Sequence, residues 1–222
     1  TILLRSAEPL SEVANTTGDW LHSWAQQTPD NIFIAERHGA GWRAESYAET
    51  LEKVRAIASS LLGRGMGPDT PILIMSGNGV DHGFLALAAQ YVGIPTVPVA
   101  EQYSLIHGAH GRLRHAIELV RPRMAYVVDA TQYSEALALD ALVDIEVIAT
   151  RADAKTTPFA DLLKGDCADV DVARAKVGPD SVVKLLMTSG STSSPKAVMT
   201  TQGMMCANQV QLADAMPFLR AR

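Results

Sequence analysis

Nine consecutive residues, Thr188-Ser-Gly-Ser-Thr-Ser-Ser-Pro-Lys196, gather hydroxyls, one glycine and one lysine directly behind the apolar run 182–187. Small side chains let several backbone N–H groups converge on an anion, the hydroxyls add donors, and Lys196 adds a full positive charge. That combination suits phosphate. A polar Ser/Thr turn without a ligand has a similar composition; the order of the residues and the apolar run in front of them favour the phosphate reading. The spacing is not that of a Walker A loop, because Gly190 is the only glycine and Lys196 follows it by six residues, after a proline.

Such a loop needs elements to hold it, and helix and strand signals alternate along the chain. Asp19 is placed to cap a short helix carrying Trp20, Leu21 and Trp24, closed by Pro29. Residues 31–37 read as a strand before a glycine turn at Gly39 to Gly41. Ser46 and Glu49 form a capping box for a helix with Leu51, Val54, Ile57 and Leu61 at helical spacing, ended by Gly63, Gly65 and Gly67. Strands at 71–76, 94–99, 124–129 and 145–149 then alternate with helices at 80–92, 112–120 and around 135–141. Residues 150–179 are more polar, with Thr157-Pro158 as a helix start and Gly165 as its stop. After the loop, 201–216 reads as a helix whose Met204 and Met205 serve as adaptable core packing.

This alternation predicts an α/β fold, a parallel-rich sheet flanked by helices, with ligands beyond the carboxyl ends of the strands. The expected organisation is a first α/β unit over 1–150, a connecting excursion over 151–180, and a strand, phosphate loop and following helix over 181–222.

Composition narrows the function classes. The chain has 222 residues, 47% of them hydrophobic, enough for a sizeable core, and its formal net charge of −5 argues against a nucleic-acid surface. Cys167 and Cys206 make neither a disulfide framework nor a Cys-x-x-Cys pair, so a reducing, cytoplasmic setting is expected. The longest uncharged run, 84–100, contains Gln90, Gly93, Pro95 and Pro98, which suits a buried helix and strand better than a membrane span. No signal-peptide pattern follows Thr1, so secretion is not expected.

Residues 185–196 resemble the phosphate-binding signature T-S-G-S/T-T-G-x-P-K-G of the adenylate-forming superfamily, the AMP-binding acyl-CoA synthetases. Two positions depart from it: Ser193 stands where glycine is usual, with a strain penalty if positive φ is required there, and Ala197 replaces the final glycine. Thr28-Pro-Asp-Asn31, the 47–62 helix and Ser76-Gly-Asn78 extend the resemblance over the whole chain. Tyr103-Ser-Leu105, Leu113-Arg-His115, Lys196-Ala-Val198 and Cys206-Ala-Asn208-Gln209 are most similar to feruloyl-CoA synthetase and its hydroxycinnamate-activating relatives, although Gln202 lies where those enzymes often place histidine.

The resemblance implies the N-terminal part of the large domain of an adenylate-forming enzyme. The reaction it implies is attack of a carboxylate, such as ferulate, on the α-phosphate of Mg2+·ATP, followed by displacement of AMP by coenzyme A. By motif match, Thr188, Ser189, Gly190, Ser191, Thr192, Ser193 and Lys196 contact the nucleotide, with Thr188 and Lys196 as the catalytic pair. The expected partners are the acid, ATP and CoA, with a homodimer as the usual family state and neither nucleic acid nor membrane. The family's aromatic-x-x-Thr-Glu motif does not occur, and neither a Thr-Gly-Asp downstream of the loop (the one at 17–19 precedes it) nor a C-terminal domain with its catalytic lysine is found, so the chain is expected to be an N-terminal portion that is inactive alone.

Three other constellations stay open. His107, His110 and His115 are loosely spaced for a metal site, in a stretch where Gly108 and Gly111 suggest a mobile loop, and read as solvated or hydrogen-bonded histidines. Gly77-Asn-Gly79 with Gly83, followed by Glu101, suggests a dinucleotide-binding unit, but the third glycine arrives one residue late and an N-cap at Asn78 accounts for the segment. A non-catalytic nucleotide-binding or assembly module that kept the loop but lost the reaction is the third.

Overall fold

The computed structural model describes residues 9–166, 169–188 and 195–220. Helix α1 (Thr17–Gln27) begins one turn earlier than the Asp19 cap would place it. Thr16 is the N-cap and Asp19 the third helical residue, whose carboxylate accepts the Thr16 amide at 3.0 Å. A hairpin follows, β1 (Ile32–His38) and β2 (Gly41–Ser46), turned through Gly39 at φ +58°. Strand β2 was not expected: its buried residue is Glu45, joined to Lys53 and Arg43, while Trp42 is exposed, so the apolar alternation of a strand is absent. Helix α2 (Tyr47–Gly63) has the reciprocal Ser46–Glu49 box and fully buried Val54, Ile57 and Leu61.

The main sheet starts at β3 (Ile72–Ile74), crosses through α3 (Val80–Tyr91) to β4 (Thr96–Pro98), and then passes short α4 (Gln102–Leu105) and a 3-10 turn at His107–Ala109. Gly108 and Gly111 therefore lie in helical turns. Helix α5 (His110–Val120) leads to β5 (Met124–Asp129), and short α6 (Ser134–Leu137) with a second 3-10 turn leads to β6 (Glu146–Arg151). Thr157-Pro158 is a two-residue edge strand, β7, and Pro158 is also the N-cap of the expected short helix, a 3-10 helix Phe159–Lys164 with Gly165 as its C-cap; α7 (Val170–Arg174) follows. The chain then forms β8 (Val182–Met187), β9 (Ala197–Thr201) and α8 (Gln202–Ala215).

The sheet order is β7-β6-β5-β3-β4-β8-β9, parallel throughout except for β9. Alternate residues of each strand face opposite layers. Ile72, Ile74, Met124, Tyr126 and Ile148 pack with α2 and α3; Leu73, Met75, Ala125, Val127 and Ala149 pack with α5 and α6. This is the expected α/β architecture of a parallel-rich sheet covered by helices. The 84–100 run is a buried helix and strand, and among the described residues no helix is long and apolar enough to cross a membrane.

The polar segment after β6 does more than connect. Phe159, Leu162 and Val170 are buried, Arg55 grips Asp171 with two hydrogen bonds (2.6 and 3.0 Å), and Arg174 reaches Asp19 at 2.7 Å. Gly165 lies so close to α2 that a Cβ there would sit 2.1 Å from the Ala56 carbonyl. A glycine chosen as a helix stop is therefore also a packing requirement.

Candidate functional site

In the sheet, the chain runs from β3 to its neighbour β4 through α3 on one face, then from β4 through α5 on the other face to β5, on the far side of β3. The two directions of winding, β3 to β4 and β5 to β6 to β7, diverge between β3 and β5, and at such a switch point the ends of neighbouring strands open a crevice suited to ligands. Strand β8 lies beside β4, so its carboxyl end belongs to this edge of the molecule. Val183 is fully buried, and Leu185 and Met187 pack on the α5 layer.

Strands β8 and β9 are antiparallel partners, from Val182 opposite Thr201 to Met187 opposite Ala197. The next residues outward, Thr188 and Lys196, close the loop. The Thr188 amide donates to the Lys196 carbonyl at 2.8 Å, the Lys196 amide donates to Thr188 Oγ1 at 3.2 Å, and that hydroxyl donates to the Lys196 carbonyl at 3.2 Å. The structure thus brings together Thr188 and Lys196 of the expected phosphate-contacting set. Ser189, Gly190, Ser191, Thr192 and Ser193 lie outside the described residues, and with them the expectation about Ser193 backbone strain. Strand β9 was not expected, but the helix after it forms where the sequence placed it, with Thr201 as its N-cap accepting the Met204 amide at 3.3 Å.

One residue the motif did not mark as functional reaches this loop. His115, on α5, donates from Nε2 to the Pro195 carbonyl at 2.8 Å. A contact to a backbone carbonyl 80 residues away leaves no signal in composition or spacing. His115 therefore does not join His107 and His110; those two approach Glu135, the three ligand atoms lying within 4.8 Å of one another. Tetrahedral zinc ligands at their usual bond lengths sit roughly 3.4 Å apart. Here His107 and Glu135 are largely in solvent, and His110 is already engaged with the Ser104 carbonyl at 3.1 Å.

Toward the switch point, each glycine of the 77–83 segment has a local reason. A Cβ on Gly77 would lie 3.1 Å from Glu101 Oε2, and one on Gly83 would lie 2.8 Å from Ile34 Cδ1. Asn78 is not the N-cap of α3. Gly79 occupies that position without a capping side chain, and Glu36 on β1 accepts the Val80 amide at 2.9 Å. Glu101, the acidic residue of the dinucleotide alternative, accepts a hydrogen bond from the Tyr133 hydroxyl, and burial followed by this carboxylate pushes that hydroxyl up to about 12. Ser76 Oγ accepts the Val128 amide across the sheet.

Gln202, at the position where hydroxycinnamate-activating enzymes often carry histidine, is completely buried. Its carbonyl oxygen accepts the Thr17 amide (3.0 Å) and hydroxyl (3.2 Å), and its amide donates to the Gln90 carbonyl at 2.9 Å. It joins α1, α3 and α8 rather than facing the loop. Of the α8 methionines expected to pack in the core, Met204 is 59% exposed and Met205 half-buried, and the buried face of the helix carries Cys206 and Val210.

The family model described as AMP-binding enzyme matches residues 21–220, the 188–196 loop included. The chain belongs to the AMP-binding enzyme family. Among curated members, a PKS-NRPS hybrid synthetase of Aspergillus fumigatus (psoA) is 27% identical over 81% of this chain, and 4-coumarate–CoA ligase 2 of Oryza sativa subsp. japonica is 25% identical over 78% of it. This chain spans 4% and 32% of those two relatives' lengths. A natural red-emitting luciferase of Phrixothrix hirtus superposes with a TM-score of 0.72 over 92% of this chain and 39% of its own, at 19% identity, which supports the fold. Family membership favours an adenylate-forming chain over a dinucleotide-binding one.

Proposed function

We propose that residues 1–222 are the N-terminal portion of the AMP-binding domain of an acid–thiol ligase. That enzyme joins a carboxylic acid to AMP and then transfers the acyl group to coenzyme A. In the first step a carboxylate oxygen attacks the α-phosphorus of Mg2+·ATP and the bond to pyrophosphate breaks. In the second, a thiolate attacks the acyl carbon and AMP leaves. The protein's contribution to the first step is positioning and charge stabilisation. Lys196 carries positive charge to the departing phosphates, and the Thr188 hydroxyl, held at the base of the loop, is the second donor of the pair. The 189–193 segment supplies backbone amides and further hydroxyls.

The observation that carries this reading is the Thr188–Lys196 closure at the carboxyl end of β8, the parallel neighbour of β4, within a chain matched by the family along 21–220. The aromatic substrate rests on the 103–105, 113–115, 196–198 and 206–209 segments and on the rice 4-coumarate–CoA ligase relative. The test is acid-dependent ATP–pyrophosphate exchange by the longest natural polypeptide containing this chain, beside residues 1–222 alone. The acids are ferulate, coumarate, benzoate, acetate and, because one relative is a PKS-NRPS hybrid, an α-amino acid. Exchange by the long form that is strongest with hydroxycinnamates is expected. Strongest exchange with the amino acid would overturn the substrate class, no exchange with any acid would favour the non-catalytic module, and thioester formation by 1–222 alone would overturn its incompleteness.

A further inference from the structure

The geometry points to His115 as a positioning residue for Lys196: it fixes, through the Pro195 carbonyl, the orientation of the peptide unit from which the lysine departs. The inference rests on the phosphate-binding reading of the loop for its functional consequence, but not for its geometry.

The Pro195–Lys196 peptide unit is planar, so holding its two polar ends fixes its orientation. Its carbonyl accepts His115 Nε2–H at 2.8 Å, and its N–H donates to Thr188 Oγ1 at 3.2 Å. The Lys196 carbonyl is held in turn by the Thr188 amide at 2.8 Å. Pro195 has a ring-restricted φ and no amide hydrogen, so its carbonyl is its one backbone hydrogen-bonding group, and α5 takes it. The lysine side chain is itself exposed. Its starting direction is therefore set by its backbone, and that backbone is held from the β8 side by Thr188 and from the α5 side by His115.

Helix α5 is a firm base for this contact. Leu113 and Ala116 are fully buried and Ile117 nearly so, against the sheet layer that also contains Met75, Val97 and Val127. A carbonyl oxygen only accepts, so the bond requires the proton on Nε2. A glutamine amide presents a donor at comparable reach, whereas phenylalanine fills the space with none. The pair H115Q and H115F thus separates hydrogen bonding from packing.

The test has two arms. In residues 1–222, amide hydrogen exchange is followed at Lys196 and Thr188, with Ile117 and Val120 as internal controls for the integrity of α5. In the longest natural polypeptide, ATP–pyrophosphate exchange is measured as a function of ATP and of acid. Removing one neutral hydrogen bond corresponds to about a two- to tenfold effect. H115F is expected to speed exchange at Lys196 and to raise the KM for ATP by about three- to tenfold, leaving the KM for the acid and the α5 amides unchanged; H115Q is expected to restore both. Unchanged Lys196 protection in H115F overturns the inference, and so does a loss that H115Q fails to restore. Faster Lys196 exchange in H115F with an unaltered KM for ATP rejects the positioning role while leaving the contact itself standing. If no long form turns over ATP, the adenylation reading fails, and the amide arm alone decides whether His115 orients the loop.

Discussion

Glu36 caps a helix that begins 44 residues further along the chain: its carboxylate accepts the Val80 amide at 2.9 Å, above a Gly79 that has no side chain to do so. The same carboxylate lies 3.4 Å from the Arg43 guanidinium, so the β1–β2 hairpin is fastened to the start of α3. A carboxylate at a helix N-terminus satisfies an open amide and meets the positive end of the helix. Glu36→Ala is expected to lower stability by about 1–2 kcal/mol, with Glu36→Gln recovering part of it. Urea unfolding of both variants measures this, and an unchanged midpoint for the alanine variant would count against the cap.

Glycine substitutions should diverge sharply by position. Gly165→Ala drives a Cβ to within 2.1 Å of the Ala56 carbonyl, which only a backbone shift can relieve, so a loss of about 2–3 kcal/mol is expected. Gly63 ends α2 with open space around it, and alanine there should be neutral or stabilising by up to about 1 kcal/mol. Equal effects of the two in chemical denaturation would show that the 159–174 segment does not press on α2.

His22 gives the fold a pH dependence on the acid side of neutrality. Burial lowers its pKa first, then the charges of Arg174 and Arg55, against smaller opposing contributions from Asp171 and Asp19. The unfolded chain therefore binds the proton more readily than the folded one. Stability is full above the ordinary histidine value of 6.5, falls as pH drops below it, and levels off once the lowered folded value is passed. Unfolding midpoints taken from pH 8 to pH 5 should show this slope, and His22→Gln should flatten it.

Cys206 is expected to resist alkylation in the native protein. It is completely buried, and burial pushes its thiol up to about 11, so at pH 8 the reactive thiolate is roughly a thousandth of the total. In a Cys167→Ser background, iodoacetamide should label the chain only as fast as it unfolds. Rapid stoichiometric labelling under native conditions would contradict the packing of α8.

Lys196→Ala should separate binding charge from folding. The side chain is exposed and its backbone contacts survive the substitution, so the unfolding midpoint is expected to move by less than about 0.5 kcal/mol. In the longest natural polypeptide, ATP–pyrophosphate exchange should fall about a hundredfold. Wild-type exchange by that variant would remove Lys196 from the site.

What the sequence exposed of this fold depended on how far apart the interacting residues lie. Helix α2 was legible because its capping box and its buried Val54, Ile57 and Leu61 fall within one short window. Strand β2 was not, because its inward residue is the charged Glu45, satisfied by a lysine on the next helix. Glu36 and His115 were invisible as partners for the same reason, each serving a backbone group 44 or 80 positions away. Strand β9 lacked any alternation, with Val198 and Met199 both exposed in succession. Of the phosphate loop, the motif gave the residue types and the fold gave Thr188 and Lys196 their mutual geometry.

The return of the chain as antiparallel β9 has an electrostatic consequence. A phosphate loop that runs straight into a helix can present its ligand to the positive end of that helix. Here five residues of extended strand separate Lys196 from α8, about 16 Å at the usual rise, and the amides at the start of α8 turn to Thr201 instead. The start of α8 is therefore spent away from the loop, and among the loop's described residues the full positive charge is that of the exposed Lys196, whose influence fades within a Debye length of about 8 Å at physiological salt. Nucleotide capture by this loop should accordingly be unusually sensitive to ionic strength.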